Sequence, residues 1–106
     1  MSYSLINFKK DIEEILSICQ EDLEAISAGQ KREATIEQIQ ETIIPEMTKL
    51  LEMIDSGEIP PKEDRYILSA GCITRGWEWD IRSKDKLNYI LPTLDSNYRY
   101  KLNVNL

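Results

Sequence analysis

The sequence contains no histidine, the side chain that most often serves as a general base or a transition-metal ligand. It also lacks a glycine-rich phosphate loop, a nucleophile elbow and a zinc-binding motif. Only two cysteines occur, Cys19 and Cys72, and neither has a cysteine or histidine nearby in the sequence. We therefore expect a protein that is not an enzyme, with no catalytic residue, no metal ion and no cofactor. Both cysteines are expected to be buried free thiols of a reducing cytoplasm.

Long apolar stretches are lacking too, since none approaches the roughly 20 residues that a helix needs to cross a bilayer. The first ten residues have no basic region followed by an apolar one, which predicts that no secretory signal is present. We therefore expect a cytoplasmic protein that makes no membrane contact. A length of 106 residues is typical of one domain, which we place at residues 1–106.

The net charge of -6 is unevenly distributed along the chain. Residues 1–59 contain 5 basic and 13 acidic side chains, whereas residues 60–106 contain 8 basic and 6 acidic ones. Acidic helix faces usually serve solubility, but such a face also attracts a basic protein partner. Because phosphate contacts need clustered lysine and arginine, we expect no nucleic-acid partner.

Two segments in the first half repeat apolar residues every three or four positions, which predicts two amphipathic helices. Ser4 is the expected N-cap of the first helix, and Gly29 is its expected end. Thr35 and Gln38 have the spacing of a capping box at the start of the second helix. Because the connection at residues 27–31 is short, the two helices are expected to form a long antiparallel hairpin.

A last helical pattern runs from Leu87 to Leu102, with Ser83 or Asp85 as its expected cap. Pro45, in the second helix, removes a backbone donor and disfavours helical geometry at the residue before it, which predicts a kink there. Pro92 likewise predicts either a kink in the last helix or two short helices.

The third segment, residues 65–81, fits either a helix or a β-hairpin. Pro60 and Pro61 are typical of a helix start, and apolar residues from Tyr66 to Trp77 share a helical face. Alternation around Trp79 instead suits strands, with Ala70 and Gly71 as the turn. We favour the helix, because the chain offers too few strands for a stable sheet.

This same stretch carries a resemblance. Residues 66–81, Tyr-Ile-Leu-Ser-Ala-Gly-Cys-Ile-Thr-Arg-Gly-Trp-Glu-Trp-Asp-Ile, and the segment at residues 87–102 resemble small uncharacterised helical proteins of Gram-positive bacteria. The resemblance covers about the last third to half of the chain. It implies a helical third segment and carries no known activity.

Two pairs of carboxylates are the candidates for metal chemistry: Glu21 with Glu24, and Glu52 with Asp55. Their spacing is similar to the Mg²⁺-binding pattern of all-helical nucleotide pyrophosphohydrolases, and oxygen ligands suit Mg²⁺. Helical geometry places all four on the faces directed away from the apolar stripes, so we expect them to point to solvent instead of converging on a metal ion.

Aromatic residues are concentrated in residues 66–106, which hold six of the eight. On a helix Trp77 and Trp79 would point about 200° apart, so both cannot enter one core. We therefore expect a partly exposed Trp79, which with Arg75 and Arg82 would form a binding surface, because tryptophan and arginine are enriched at binding hot spots. The aromatic residues expected in the core are Trp77, Tyr66 and Tyr89.

Together these patterns predict an all-α, four-helix bundle-like fold. The expected function is a non-enzymatic protein-binding module, of the immunity or antitoxin type of bacterial inhibitor. This expectation is based on small size, acidity and the lack of catalytic groups. One alternative is a Mg²⁺-dependent nucleotide hydrolase that uses the paired carboxylates. Another is a structural subunit that self-associates, for example as a homodimer.

Overall fold

The protein is described by a computed structural model that covers residues 2–105 and contains four helices in that range. Helix α1 is Leu5–Ser27 and α3 is Leu68–Arg75. Helix α2, residues 36–56, consists of Ile36–Gln38, a π-helical turn at Ile39–Ile43, and Ile44–Ser56. Helix α4, residues 86–101, joins Lys86–Ser96 to a π-helical turn at Asn97–Lys101. Lys62–Asp64 form a 3-10 turn.

The predicted starts of the first two helices are confirmed. The Ser4 hydroxyl accepts from the Asn7 N–H at 3.3 Å, and the Asn7 side chain accepts from the Ser4 N–H at 3.1 Å. Thr35 and Gln38 form the same reciprocal pair at the start of α2, with distances of 3.0 and 3.1 Å. Each pair satisfies backbone donors that the first helical turn leaves free.

Pro45 and Pro92, which were expected to disturb their helices, both lie in unbroken helices. Ile44, which precedes Pro45, keeps helical dihedral angles, φ -61° and ψ -47°, although a following proline disfavours this geometry. The irregularity is a π-helical turn directly before the proline, in which the Ile44 N–H bonds to the Ile39 carbonyl. Pro92 lies inside the continuous helix Lys86–Ser96, which is not divided into two.

The antiparallel hairpin of α1 and α2 is also confirmed. Lys9, near the start of α1, forms an ion pair of 3.5 Å with Asp55, near the end of α2. Helix α4 packs against α1, helix α3 packs against α4, and the buried side chains form one cluster. The buried apolar residues of this core are Phe8, Ile12, Ile15, Ile18, Cys19, Ala34, Ile39, Ile43, Met47, Leu50, Ile67, Ala70, Ile73, Trp79, Leu87, Leu91, Leu94, Tyr98 and Leu102.

The third segment is helical, as favoured, but over a shorter range than expected. Residues 65–67 before α3 are not helical, and the chain leaves the helix after Arg75. Neither strand of the alternative β-hairpin forms within residues 65–81. Across residues 2–105 the only β-type pairing is an isolated parallel bridge between Tyr3 and Leu102, and the fold is all-α and consistent with a helical bundle.

Three expectations about burial are wrong. Tyr66 and Tyr89, assigned to the core, are 60% and 59% exposed. Cys72, expected to be buried like Cys19, is half-buried. The late start of α3 explains the exposure of Tyr66, because this residue no longer belongs to the helical face on which its burial was predicted. No helix within residues 2–105 combines the length and the apolarity that a membrane crossing requires.

Candidate functional site

The three residues predicted to bind a partner have three different environments. Trp79 is buried, with 5% of its surface exposed, so the expectation of a partly exposed ring is wrong. Arg75 ends α3 and lines a groove of about 620 Å³ between α3 and α4. Arg82 lies on the loop before α4, with 87% of its side chain exposed.

The end of α3 at Arg75 explains why Trp79 is buried. Because Trp77 and Trp79 follow the helix instead of continuing it, the predicted angle between them does not apply, and their rings stack at 5.4 Å. The Trp79 Nε1–H donates a 3.0 Å hydrogen bond to the side chain of Gln38, which also caps α2. Trp79 therefore joins the loop to the start of α2.

The four candidate metal ligands are exposed, as expected, and they do not converge. Glu21 lies 3.7 Å from Lys86 at the start of α4, whereas Asp55 pairs with Lys9 near the start of α1. Lys9 and Glu21 are separated by roughly 18 Å along α1 at 1.5 Å per residue. Across residues 2–105 no group of three or more acidic, cysteine or histidine side chains is placed to hold a metal ion.

A groove of about 950 Å³ lies beside α2. We call it the α2 groove. One side is the outer face of α2, and the other is formed by the chain that enters α3. The apolar side chains that line it are Ile44, Pro45, Leu50, Met53, Pro60, Tyr66, Leu68 and Tyr98.

Tyr66 and Leu68 give the α2 groove its exposed apolar edge. Residues 65 and 67 have extended backbones, so successive side chains point to opposite sides. Ile67 points into the core and is 1% exposed, which turns Tyr66 outward. Leu68 begins α3 and is 51% exposed. Two large apolar side chains are thus held at the surface by their buried neighbour.

The floor of the α2 groove is fixed by Tyr98. Its hydroxyl lies 3.7 Å from the Met53 sulfur, and the Arg65 guanidinium lies 5.9 Å from the centre of its ring. Burial raises the pKa of Tyr98 above its ordinary value, an effect that the positive charge of Arg65 partly opposes. The phenol therefore stays protonated at neutral pH and adds no negative charge to the floor.

The rim of the α2 groove is acidic. Lys49 is the one basic residue among the lining residues, and the acidic ones are Glu41, Glu46, Glu52 and Asp64. Every buried side-chain nitrogen and oxygen in the described part of the chain has a hydrogen-bond partner. The exposed carboxylates of the rim are Glu41, Glu52 and Asp64, whereas Glu46 is half-buried. Such a surface complements apolar side chains flanked by positive charges.

The wall that α3 contributes is held by carboxylates from two other helices. Glu46 of α2 accepts from the backbone N–H groups of Leu68 and Ser69, and Asp95 of α4 accepts from the N–H of Ile67 at 2.7 Å. These bonds satisfy donors at the start of α3, whose N-cap residue makes no side-chain cap of its own. The groove edge is therefore preorganised.

Sequence reasoning did not find this groove, because its two sides come from residues about 20 positions apart and are joined only in the folded chain. The one usable signal was the aromatic enrichment after residue 65, which was assigned to Trp79 instead of Tyr66. Comparisons with protein-family models, curated proteins and solved structures give no match to this chain.

Proposed function

We propose that this protein is a non-enzymatic protein-binding module whose α2 groove takes a basic, amphipathic segment of another protein. The observation that carries the proposal is the pairing of the exposed edge, Tyr66 and Leu68, with an acidic rim. Truncating a buried aromatic or aliphatic anchor at such contacts commonly costs 2 kcal/mol or more. Rim carboxylates act mainly on the rate of encounter.

The narrower proposal is an inhibitor of the bacterial immunity or antitoxin type that acts in the cytoplasm. Small size and acidity support it, since a groove with acidic edges could cover a basic surface of a toxic protein. The two cysteines are free thiols, which fits a reducing compartment. Arg75 and Arg82 remain candidates for secondary contacts, and the buried Trp79 serves to position the loop that bears Arg82.

A labelled synthetic peptide tests the groove directly. The probe is an amphipathic helix with leucine on one face and lysine and arginine on the other, followed by fluorescence anisotropy. We expect salt-sensitive binding that Tyr66→Ala combined with Leu68→Ala weakens by roughly tenfold or more. The matched control combines Ile6→Ala with Tyr100→Ala, which removes similar exposed apolar surface elsewhere and should leave the affinity unchanged.

Two comparison peptides make the result specific: a scrambled sequence of the same composition, and an acidic amphipathic helix. Equal affinity for all three peptides, or equal weakening by the two double variants, would overturn the proposal. Absence of any binding by the basic peptide would overturn it as well. Melting temperatures of both double variants establish that the folded state is retained.

A further inference from the structure

The loop before α4 presents an apolar side chain on a rigid support. Ile81 is 89% exposed, the most exposed large apolar residue in the described structure. Its turn is closed by hydrogen bonds to Asp80: the Ser83 N–H donates to its carbonyl at 2.9 Å, and the Arg82 N–H donates to its side chain at 2.9 Å. Asn88 of α4 also donates to the Asp80 carbonyl at 2.9 Å. We call residues 80–86 the knob.

The knob is attached to the rest of the fold on both sides. Glu33 accepts a 3.4 Å hydrogen bond from the Asp80 N–H and donates its own N–H to Asp85 at 2.6 Å. Directly before the knob, Trp79 is buried and bonded to Gln38. The exposure of Ile81 is therefore built into the fold, and docking would need little additional ordering of the loop.

The knob carries positive charge around its apolar tip. Its basic residues are Arg82, Lys84 and Lys86 and its acidic ones are Asp80 and Asp85, which gives a net charge of 3 − 2 = +1. Arg82 pairs with Asp80, and Lys86 lies 3.7 Å from Glu21, both at exposed positions where such pairs contribute little. An apolar tip with a small excess of positive charge complements the α2 groove, which has an apolar floor and an acidic rim.

We propose that the knob of one copy of this chain docks in the α2 groove of a second copy. The chain does not fill its own groove, because Ile81 is exposed and the knob is fixed to the segment that precedes α2. The contact is heterologous, since it joins two different surfaces of the same chain. This inference relies on the groove of the proposed function and adds a competing occupant: a second copy would block the groove until a foreign partner displaces it.

Light scattering after size-exclusion chromatography tests the contact. The mass of the unmodified protein should rise with concentration, and added salt should lower it. Ile81→Ser removes the apolar tip of the knob, and Leu68→Ser removes one of the two apolar side chains at the groove edge. Each substitution should reduce the association constant by roughly tenfold or more. Ile6→Ser, the same kind of change at another exposed aliphatic residue, should have no effect.

The most specific test is to mix the two variants. The Ile81→Ser chain keeps its groove and the Leu68→Ser chain keeps its knob, so an equimolar mixture should recover a one-to-one dimer that neither variant forms alone. A mixture that stays monomeric, or self-association that both variants leave intact, would overturn the inference. Melting temperatures of the two variants check that they remain folded.

The peptide experiment separates this inference from the proposed function. If the basic peptide binds the groove but the unmodified protein stays monomeric at every concentration, the second-copy contact is wrong and the binding module stands. If knob and groove variants abolish self-association but no basic peptide binds, the contact stands and the foreign partner is wrong. A peptide that dissociates the self-associated protein supports both.

Discussion

Glu46 and Ser69 join α2 to the first turn of α3 through two hydrogen bonds on the same carboxylate oxygen. The Ser69 N–H lies 2.9 Å from it, and the Ser69 hydroxyl lies 2.6 Å from it. Ser69 is fully buried, so water cannot replace this partner. A carboxylate from a distant helix thus serves as the cap that α3 lacks in its own sequence.

We expect Glu46→Ala to lower the free energy of unfolding by about 1–3 kcal/mol, because it leaves buried donors of α3 without an acceptor. Urea denaturation measures this change. Glu52→Ala, at an exposed position on the same helix, is the matched control and should stay within about 0.5 kcal/mol of the unmodified protein. Equal effects of the two substitutions would show that the Glu46 cap contributes no stability.

The core of α1 gives a second expected outcome. Ile15 is fully buried, whereas Ile6 on the same helix is 66% exposed. Ile15→Ala should therefore cost about 2–5 kcal/mol of unfolding free energy, and Ile6→Ala should cost less than about 0.5 kcal/mol. Denaturant titration of both variants checks the assignment. Similar losses of unfolding free energy in the two variants would show that the core side chains of α1 have been assigned to the wrong face of the helix.

Trp79 should now behave as a core residue. Trp79→Ala removes a buried ring and its hydrogen bond to Gln38, and the expected loss of unfolding free energy is about 3–5 kcal/mol. Thermal unfolding should show a clearly lower melting temperature. Tyr100→Ala, at an exposed aromatic residue, should change it little. An unchanged melting temperature for Trp79→Ala would restore the exposed ring that the sequence predicted.

The two thiols should differ in reactivity. Burial raises the pKa of Cys19 to about 12, and the negative charge of nearby Asp22 adds to this rise. Because the thiolate is the reactive form, a disulfide reagent at pH 8 should modify half-buried Cys72 first, and Cys19 only as the protein unfolds. Timed mass spectrometry distinguishes the sites. Modification of both at one rate without denaturant would contradict the burial of Cys19.

The raised pKa of Cys19 also predicts that the free energy of unfolding depends on pH. Unfolded chains release a cysteine proton near roughly pH 8.5, whereas the folded state retains the Cys19 proton to about pH 12. The folded state therefore binds more protons in this interval, and the free energy of unfolding should fall as pH rises through it. Cys19→Ala removes this contribution, so its stability should fall less steeply between pH 9 and 11. Identical slopes would contradict the shift.

Local sequence signals were sufficient where the controlling contacts were local. The capping boxes at Ser4 and Thr35 depend on partners three residues away, and both helix starts were predicted. The start of α3 depends instead on Glu46 and Asp95, which lie 22 to 28 positions away in the sequence. No periodicity within residues 60–77 could reveal those partners, so the predicted helix began too early.

The candidate site was harder to predict, because the burial of its aromatic residues depends on where α3 starts and where it ends. A helix continued through Trp77 would separate the tryptophans, whereas the observed end at Arg75 allows their rings to stack and bury Trp79. The start of α3 at Leu68 leaves Tyr66 on an extended segment and exposed. The sequence indicated that aromatic residues are concentrated after residue 65, but it assigned exposure to Trp79 instead of Tyr66.

The bridge between Tyr3 and Leu102 makes the backbone almost a closed ring, because the Asn103 N–H also donates to the Tyr3 carbonyl at 2.9 Å. The docking of α1 on α4 is therefore the longest loop closure in the fold. A circular permutant that joins the two ends by a short linker and opens the connection at residues 28–34 would leave every helix intact. In that permutant α4 and α1 would be sequence neighbours. The order in which helices dock would change, while the packed arrangement would remain the same.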